Sequence, residues 1–189
     1  MVTGIRATVD DVLRLGAEGE NYELIDGELV PMSPTNLEHA EIELQIGLLL
    51  RSFVLPRRTG KVFVGDPLFQ LGIEGRLARA PDVAFISRER LLTQPDLRGA
   101  FGGAPELAVE IVSPGNTAEA VFRKVHEWLA YGTQIVLVVY PVQRGVAVWR
   151  ENGAVSLRDD AELNLDPALP GFICTVNDLF PLPLDEPDV

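Results

Sequence analysis

The chain has 189 residues, 47% apolar and 23% charged, with 28 acidic against 16 basic side chains and a net charge of −12. This composition excludes a disordered tail or a fibre and fits one globular domain over 1–189. The charge, taken whole, sets the molecule against nucleic acid and anionic membranes.

Met1 to Asp10 lacks the basic start and apolar core of a secretory leader. The longest apolar run, Ile135 to Val142, is far short of the ~20 residues of a membrane helix. A cytoplasmic protein with no membrane partner is therefore expected. Thr8 with Asp11 three residues on reads as a capping box for a short helix that Gly16 and Gly19 end. Two strand-like runs, Tyr22 to Ile25 and Glu28 to Val30, flank Asp26-Gly27, a strong signal for a hairpin with a type I′ turn.

From Asn36 to Phe53, Ile42, Ile46, Leu49 and Phe53 recur at helical spacing, and Pro56 is expected to stop that helix. Lys61 to Leu71 reads as a strand with a bulge or edge point at Asp66-Pro67, and Pro81 to Ile86 as a second strand. Residues 93–105 are rich in glycine and proline and predict a loop. Glu106 to Val112 reads as an interior strand. Asn116-Thr-Ala-Glu119 resembles a capping box for a helix running to about Tyr131, with Gly132 as its C-cap. Ile135 to Tyr140 and Gly145 to Arg150 follow as strands. A helix between the strands ending at Val112 and Tyr140 makes a crossover, which favours parallel pairing. The order is that of an α/β domain with a core over about 20–150. Residues 151–189 form an acidic C-terminal extension whose apolar cluster, Leu163 to Phe180, could dock on the body. Its lone Cys174 excludes an internal disulfide and reads as a small buried hydrophobe.

Glu110 is the most informative polar residue. On a period-two strand it shares a face with Ala108 and Val112, and an uncompensated carboxylate there costs several kcal/mol to bury. It needs a cation, a metal ion or a proton; a structural ion pair or a water-facing edge position is the competing reading. Asp82, placed after Pro81, points from the end of its strand. Two carboxylates on neighbouring strands make the oxygen platform Mg²⁺ (or Mn²⁺) prefers, with waters and a phosphate completing the shell. Lys124 lies at the edge of the sheet-facing side of the crossover helix, close to Trp128, and can reach back over the sheet to orient or deprotonate a nucleophile. Glu28 and His39 are weaker candidates for additional metal ligands.

Tyr22-Glu-Leu-Ile-Asp-Gly-Glu-Leu, Ser33-Pro with Glu38-His39, Pro81-Asp-Val-Ala-Phe, Glu110-Ile-Val-Ser-Pro and Lys124 together resemble the Uma-two family of restriction-endonuclease-like proteins, within the PD-(D/E)XK nuclease superfamily. The resemblance runs from about Tyr22 to Arg150. It implies a mixed central sheet flanked by helices with an N-terminal hairpin, and a metal-dependent endonuclease acting on DNA. It matches Asp82 to the PD aspartate, Glu110 to the (D/E) position, Lys124 to a lysine moved onto the following helix, and Glu28 to a glutamate of the family's hairpin. Related nucleases often work as homodimers. The alternative is a catalytically silent interaction or regulatory domain on the same scaffold.

Divided along the chain, the charge is uneven. Residues 1–50 carry two bases and ten acids, and 151–189 carry one base and nine acids, whereas 51–90 carry eight bases and four acids. Duplex binding depends on Lys and Arg at phosphates, so Arg57, Arg58, Lys61, Arg76 and Arg79 are the candidate DNA contacts. A scattered solvated surface is the competing reading of the same residues.

Overall fold

The run Ile135–Tyr140 is apolar on both sides: Ile135, Leu137 and Val139 alternate with Val136 and Val138, none more than 1% exposed. A strand of this kind has to be covered on both faces, and the architecture follows from that demand. The computed structural model describes residues 6–19, 21–72 and 74–182. The start of the Met1 to Asp10 segment (residues 1–5) and the acidic end of the C-terminal segment (183–189) lie outside the described residues.

In chain order the elements are α1 (Val9–Ala17), β1 (Tyr22–Ile25), β2 (Glu28–Pro31), α2 (Leu37–Arg57), β3 (Gly60–Val64), β4 (Phe69–Leu71), β5 (Leu77–Arg79), β6 (Val83–Ser87) and α3 (Arg88–Thr93). They continue with β7 (Phe101–Gly102), β8 (Leu107–Ile111), α4 (Ala118–Ala130), β9 (Ile135–Tyr140), β10 (Gly145–Arg150), β11 (Gly153–Arg158), β12 (Glu162–Asn164), β13 (Ile173–Thr175) and a 3₁₀ turn at Asn177–Leu179.

The main sheet runs β11-β10-β9-β8-β6-β3. It is mixed: β8 and β9 are parallel, joined through α4, and the other neighbours are antiparallel. One face packs against Ile42, Ile46, Leu50 and Val54 of α2 and against Leu163, Leu165, Leu169, Phe172 and Phe180. The other packs against Val125 and Trp128 of α4 and against Phe69, Leu71 and Phe101 of a second sheet, β2-β1-β5-β4-β7. Each fully buried Leu, Ile or Phe contributes ~1.5–3 kcal/mol by leaving water. These two layers therefore fix where the strand ends point. Cys174 is half-buried against the first layer, and burial pushes its thiol up to about 12.

The hairpin turn has the conformation its sequence calls for. Asp26 and Gly27 both have positive φ (52° and 81°), and Ile25 pairs with Glu28 across them. Other boundaries differ from the sequence reading. The run Lys61 to Leu71 is two strands in two sheets, because Gly65 and Asp66 both adopt positive φ (78° and 56°) and hand the chain across. Helix α2 continues through Pro56 for one more residue and ends at Arg58, whose φ of 54° closes the last turn. The N-cap of α4 is Thr117, which accepts the Ala120 N–H, while the Asn116 side chain accepts the Ser113 N–H one turn earlier. Ser87 caps the short helix α3, β7 and β11 to β13 lie in segments read as loop or tail, and β5 lies between two strands in a segment for which the sequence predicts no element.

Candidate active site

Antiparallel pairing of β6 with β8 matches Val83 to Val109 and Ala84 to Ala108, and continuing that register one step sets Asp82, the residue before β6, opposite Glu110. That register brings the two carboxylates together at the end of the sheet, where both line a cavity of about 230 Å³. Asp82 is held at both oxygens: Oδ1 lies 2.9 Å from His39 Nε2, and Oδ2 accepts the Ile111 N–H. His39 is presented by the first turn of α2, where the Asn36 side chain caps its N–H, and its Nδ1 meets Ser113 Oγ at 3.2 Å. The hydrogen bond to Asp82 raises the His39 pKa above the ordinary value, against the opposing effect of burial.

Glu110 faces α4, as its strand parity requires. Its Oε1 accepts the Trp128 indole N–H at 2.7 Å and its Oε2 lies 2.7 Å from Lys124 Nζ. Burial pushes Glu110 up to about 8, with Lys124 acting against the rise and Asp82 adding to it. Lys124 in turn has three acceptors for its three N–H bonds: Glu110, Glu23 Oε1 at 3.0 Å and the Ala80 carbonyl at 2.9 Å. Burial disfavours its charge, but Glu110 and Glu23 outweigh that and hold the ammonium above its ordinary pKa. Lys124 is thus a fixed positive charge in this arrangement. It can neutralise and orient, and it is poorly suited to taking up a proton.

Glu23, from β1, was not singled out in the sequence. Its carboxylate bridges Lys124 and Arg79, with Arg79 Nη1 at 2.6 Å, and it also accepts the Ala80 N–H. Burial raises its pKa, Lys124 and Arg79 lower it, and the balance falls below the ordinary value. The hairpin glutamate picked out earlier, Glu28, stands on the same face beside the turn, paired with Ile25 and exposed. Two rungs along, Glu23 is the hairpin glutamate that reaches the cavity. Asp66 and Arg123 also line it. Burial, then Asp82 and Glu43, push Asp66 up to about 6.

The basic candidates separate. Arg79 is 3% exposed and paired with Glu23 and Glu127, so it is an internal strut that borders the cavity with its charge already taken up. Arg57, Arg58, Lys61 and Arg76 are exposed. Arg57 ends the helix whose first turn carries His39, about 27 Å away along the axis. The cluster at the C-terminal end of α2 is therefore remote from the cavity, which is bordered instead by Lys124, Arg123 and the paired Arg79.

The site's metal-binding capacity follows from its donors. Among the described residues no three His, Cys, Asp or Glu side chains are arranged to hold a metal ion by themselves. Asp82 and Glu110 supply four hard oxygens, each with one hydrogen-bond or ion-pair partner among the described residues and therefore a lone pair to spare. That donor set fits Mg²⁺, which takes one or two carboxylates and completes its shell from water and phosphate.

The sequence model of the Uma2 family, described as "Putative restriction endonuclease", matches residues 9–177. The chain belongs to the Uma2 family. No curated protein matches it. Among solved structures it is similar to "a putative nuclease belonging to DUF820" from Anabaena variabilis, with a TM-score of 0.77 and 22% identity over 92% of this chain and 97% of that one. The Uma2 chain thus has a restriction-endonuclease-like fold of mixed sheet flanked by helices. Among the described residues no helix is long and apolar enough to cross a membrane.

Proposed function

We propose that this Uma2 protein is a divalent-metal-dependent nuclease that hydrolyses DNA phosphodiester bonds in the cavity between β6, β8 and α4. The observation that carries this reading is that Asp82 and Glu110, at opposed register positions, line one cavity with a saturated lysine behind Glu110. Asp82 and Glu110 would hold Mg²⁺ or Mn²⁺, which supplies charge neutralisation at the phosphoryl group. The family description supports a nuclease, and the chemistry of the site supports a phosphate substrate.

The chain's own residues have distinct tasks. His39 and the Ile111 N–H fix the Asp82 carboxylate in one orientation, so that little reorganisation accompanies substrate binding. Trp128 does the same for Glu110. Lys124, kept charged by Glu110 and Glu23, stabilises the negative charge that grows on phosphorus-bound oxygen. Arg123, on the same helix and lining the same cavity, is placed to contact a neighbouring phosphate of the backbone.

Nicking of supercoiled plasmid with Mg²⁺ or Mn²⁺ tests the proposal, comparing wild type with Asp82→Ala and Lys124→Met. Wild type is expected to cleave and both variants to lose at least a hundred-fold in rate, the scale of removing one preorganised charge. Equal activity in the three proteins, or none in wild type, overturns it; the second result would assign the scaffold to a binding or regulatory role.

A further inference from the structure

Helix α2 buries Ile42, Ile46, Leu50 and Val54 against the main sheet, yet its opposite side is also apolar. Leu37, Leu44, Leu48 and Leu55 are 90%, 57%, 54% and 61% exposed. At 100° per residue these four fall within a strip 40° wide. A helix that is apolar all round is normally covered all round. Here β3 flanks one side, with Gly47 close against Val64, and the 3₁₀ turn flanks the other through Gln45, and among the described residues the leucine strip is left uncovered.

Two further residues complete the strip. Leu37, Glu41, Leu44, Leu48, Arg51 and Leu55 are spaced four, three, four, three and four apart, which is the heptad seam of a helix that packs on another helix. Glu41 and Arg51 are both exposed. Neither has an oppositely charged side chain three or four positions away on its own helix.

We propose that this seam is the interface of an antiparallel, two-fold-symmetric dimer of the chain, with the symmetry axis passing beside position 46. In a two-fold contact residue i meets residue j and j meets i. An axis at 46 pairs Leu37 with the partner's Leu55, Leu44 with the partner's Leu48, and Glu41 with the partner's Arg51, each twice. The seam is self-complementary in all six positions. A parallel pair would set Glu41 against Glu41 and Arg51 against Arg51, so the two charged positions also select the direction. The pairing spans about 27 Å of helix and places the two His39-bearing ends about 21 Å apart along it. It depends only on α2 and is independent of the nuclease reading.

Sedimentation equilibrium of the full chain from about 1 to about 100 μM tests it, with each variant's fold checked by circular dichroism. A single helix pair lies at the small end of the interface range, so a micromolar dimer is expected. Glu41→Arg and Arg51→Glu singly each set like charges together at two places and should weaken the dimer at least ten-fold. The double variant Glu41→Arg/Arg51→Glu should restore it, and Leu48→Glu should leave a monomer. A wild type that stays monomeric overturns the proposal, whatever else then covers the leucines. So does a dimer indifferent to the single reversals, or a double variant no better than either single one.

Discussion

Arg79→Ala is the substitution whose effect the buried charge network decides most sharply. The guanidinium side chain is 4% exposed and joins Glu23, 10% exposed, to Glu127, 21% exposed. Its removal leaves Glu23 buried with Lys124 and the Ala80 N–H as remaining partners, while Glu127 lies close enough to solvent to rehydrate. Breaking a buried pair from one side costs ~3–5 kcal/mol. The surviving Lys124 contact and the partial exposure of Glu127 set the expectation at the low end, about 3 kcal/mol. For a chain of this length that lowers Tm by roughly 6–12 °C. Urea unfolding measures it, with Lys61→Ala as the exposed counterpart, expected within about 0.5 kcal/mol of wild type. An Arg79→Ala protein within about 1 kcal/mol of wild type would refute the strut and return Arg79 to the surface cluster.

Two other substitutions test local geometry. Asp66 has its pKa raised to about 6 by burial and by Asp82 and Glu43, from an ordinary value near 3.8. The folded state then holds that proton more tightly than the unfolded chain, so stability falls as pH rises through about 6. His39, raised by Asp82, adds a loss in the same direction. In chelator, Asp66 and His39 should together account for a drop in unfolding free energy of about 1–3 kcal/mol between pH 5 and pH 8, to which Glu110, pushed up to about 8, adds in the same direction. Asp66→Asn, which tolerates the positive φ of that position, should flatten the slope; an unchanged slope would contradict the assignment. At Gly60 an added Cβ would lie 2.2 Å from the Ile86 carbonyl and 2.6 Å from the Phe85 ring. Gly60→Ala should therefore destabilise by ~1–3 kcal/mol through displacement of β3, and a neutral result by thermal unfolding would show that the strand has room.

The parts of the site legible in the sequence are those set by period and turn chemistry. Asp26-Gly27 fixes the hairpin because two consecutive positive φ values suit few other residues. The period-two run around Glu110 and the crossover to Lys124 fix which face the glutamate takes and which helix lies over it. Glu23 and Glu28 share a face, and only the distance from the turn to the cavity separates them, which depends on how β1 sits against β5. Arg79 reads as one of the surface bases because β5 is three residues long, too short for alternation to show its burial, and its partners Glu23 and Glu127 are far away in the chain. Asp66 joins the site only because the chain changes sheets there.

The central claim is that Asp82 and Glu110 form one cation-binding rung that the hairpin's Glu28 does not share. Titration of metal-free protein with Mn²⁺, followed by electron paramagnetic resonance of the free ion, tests it most directly. Wild type and Glu28→Ala should bind alike, and Asp82→Ala should lose the site while remaining folded. Undiminished binding by Asp82→Ala, or loss of binding in Glu28→Ala, would contradict the account.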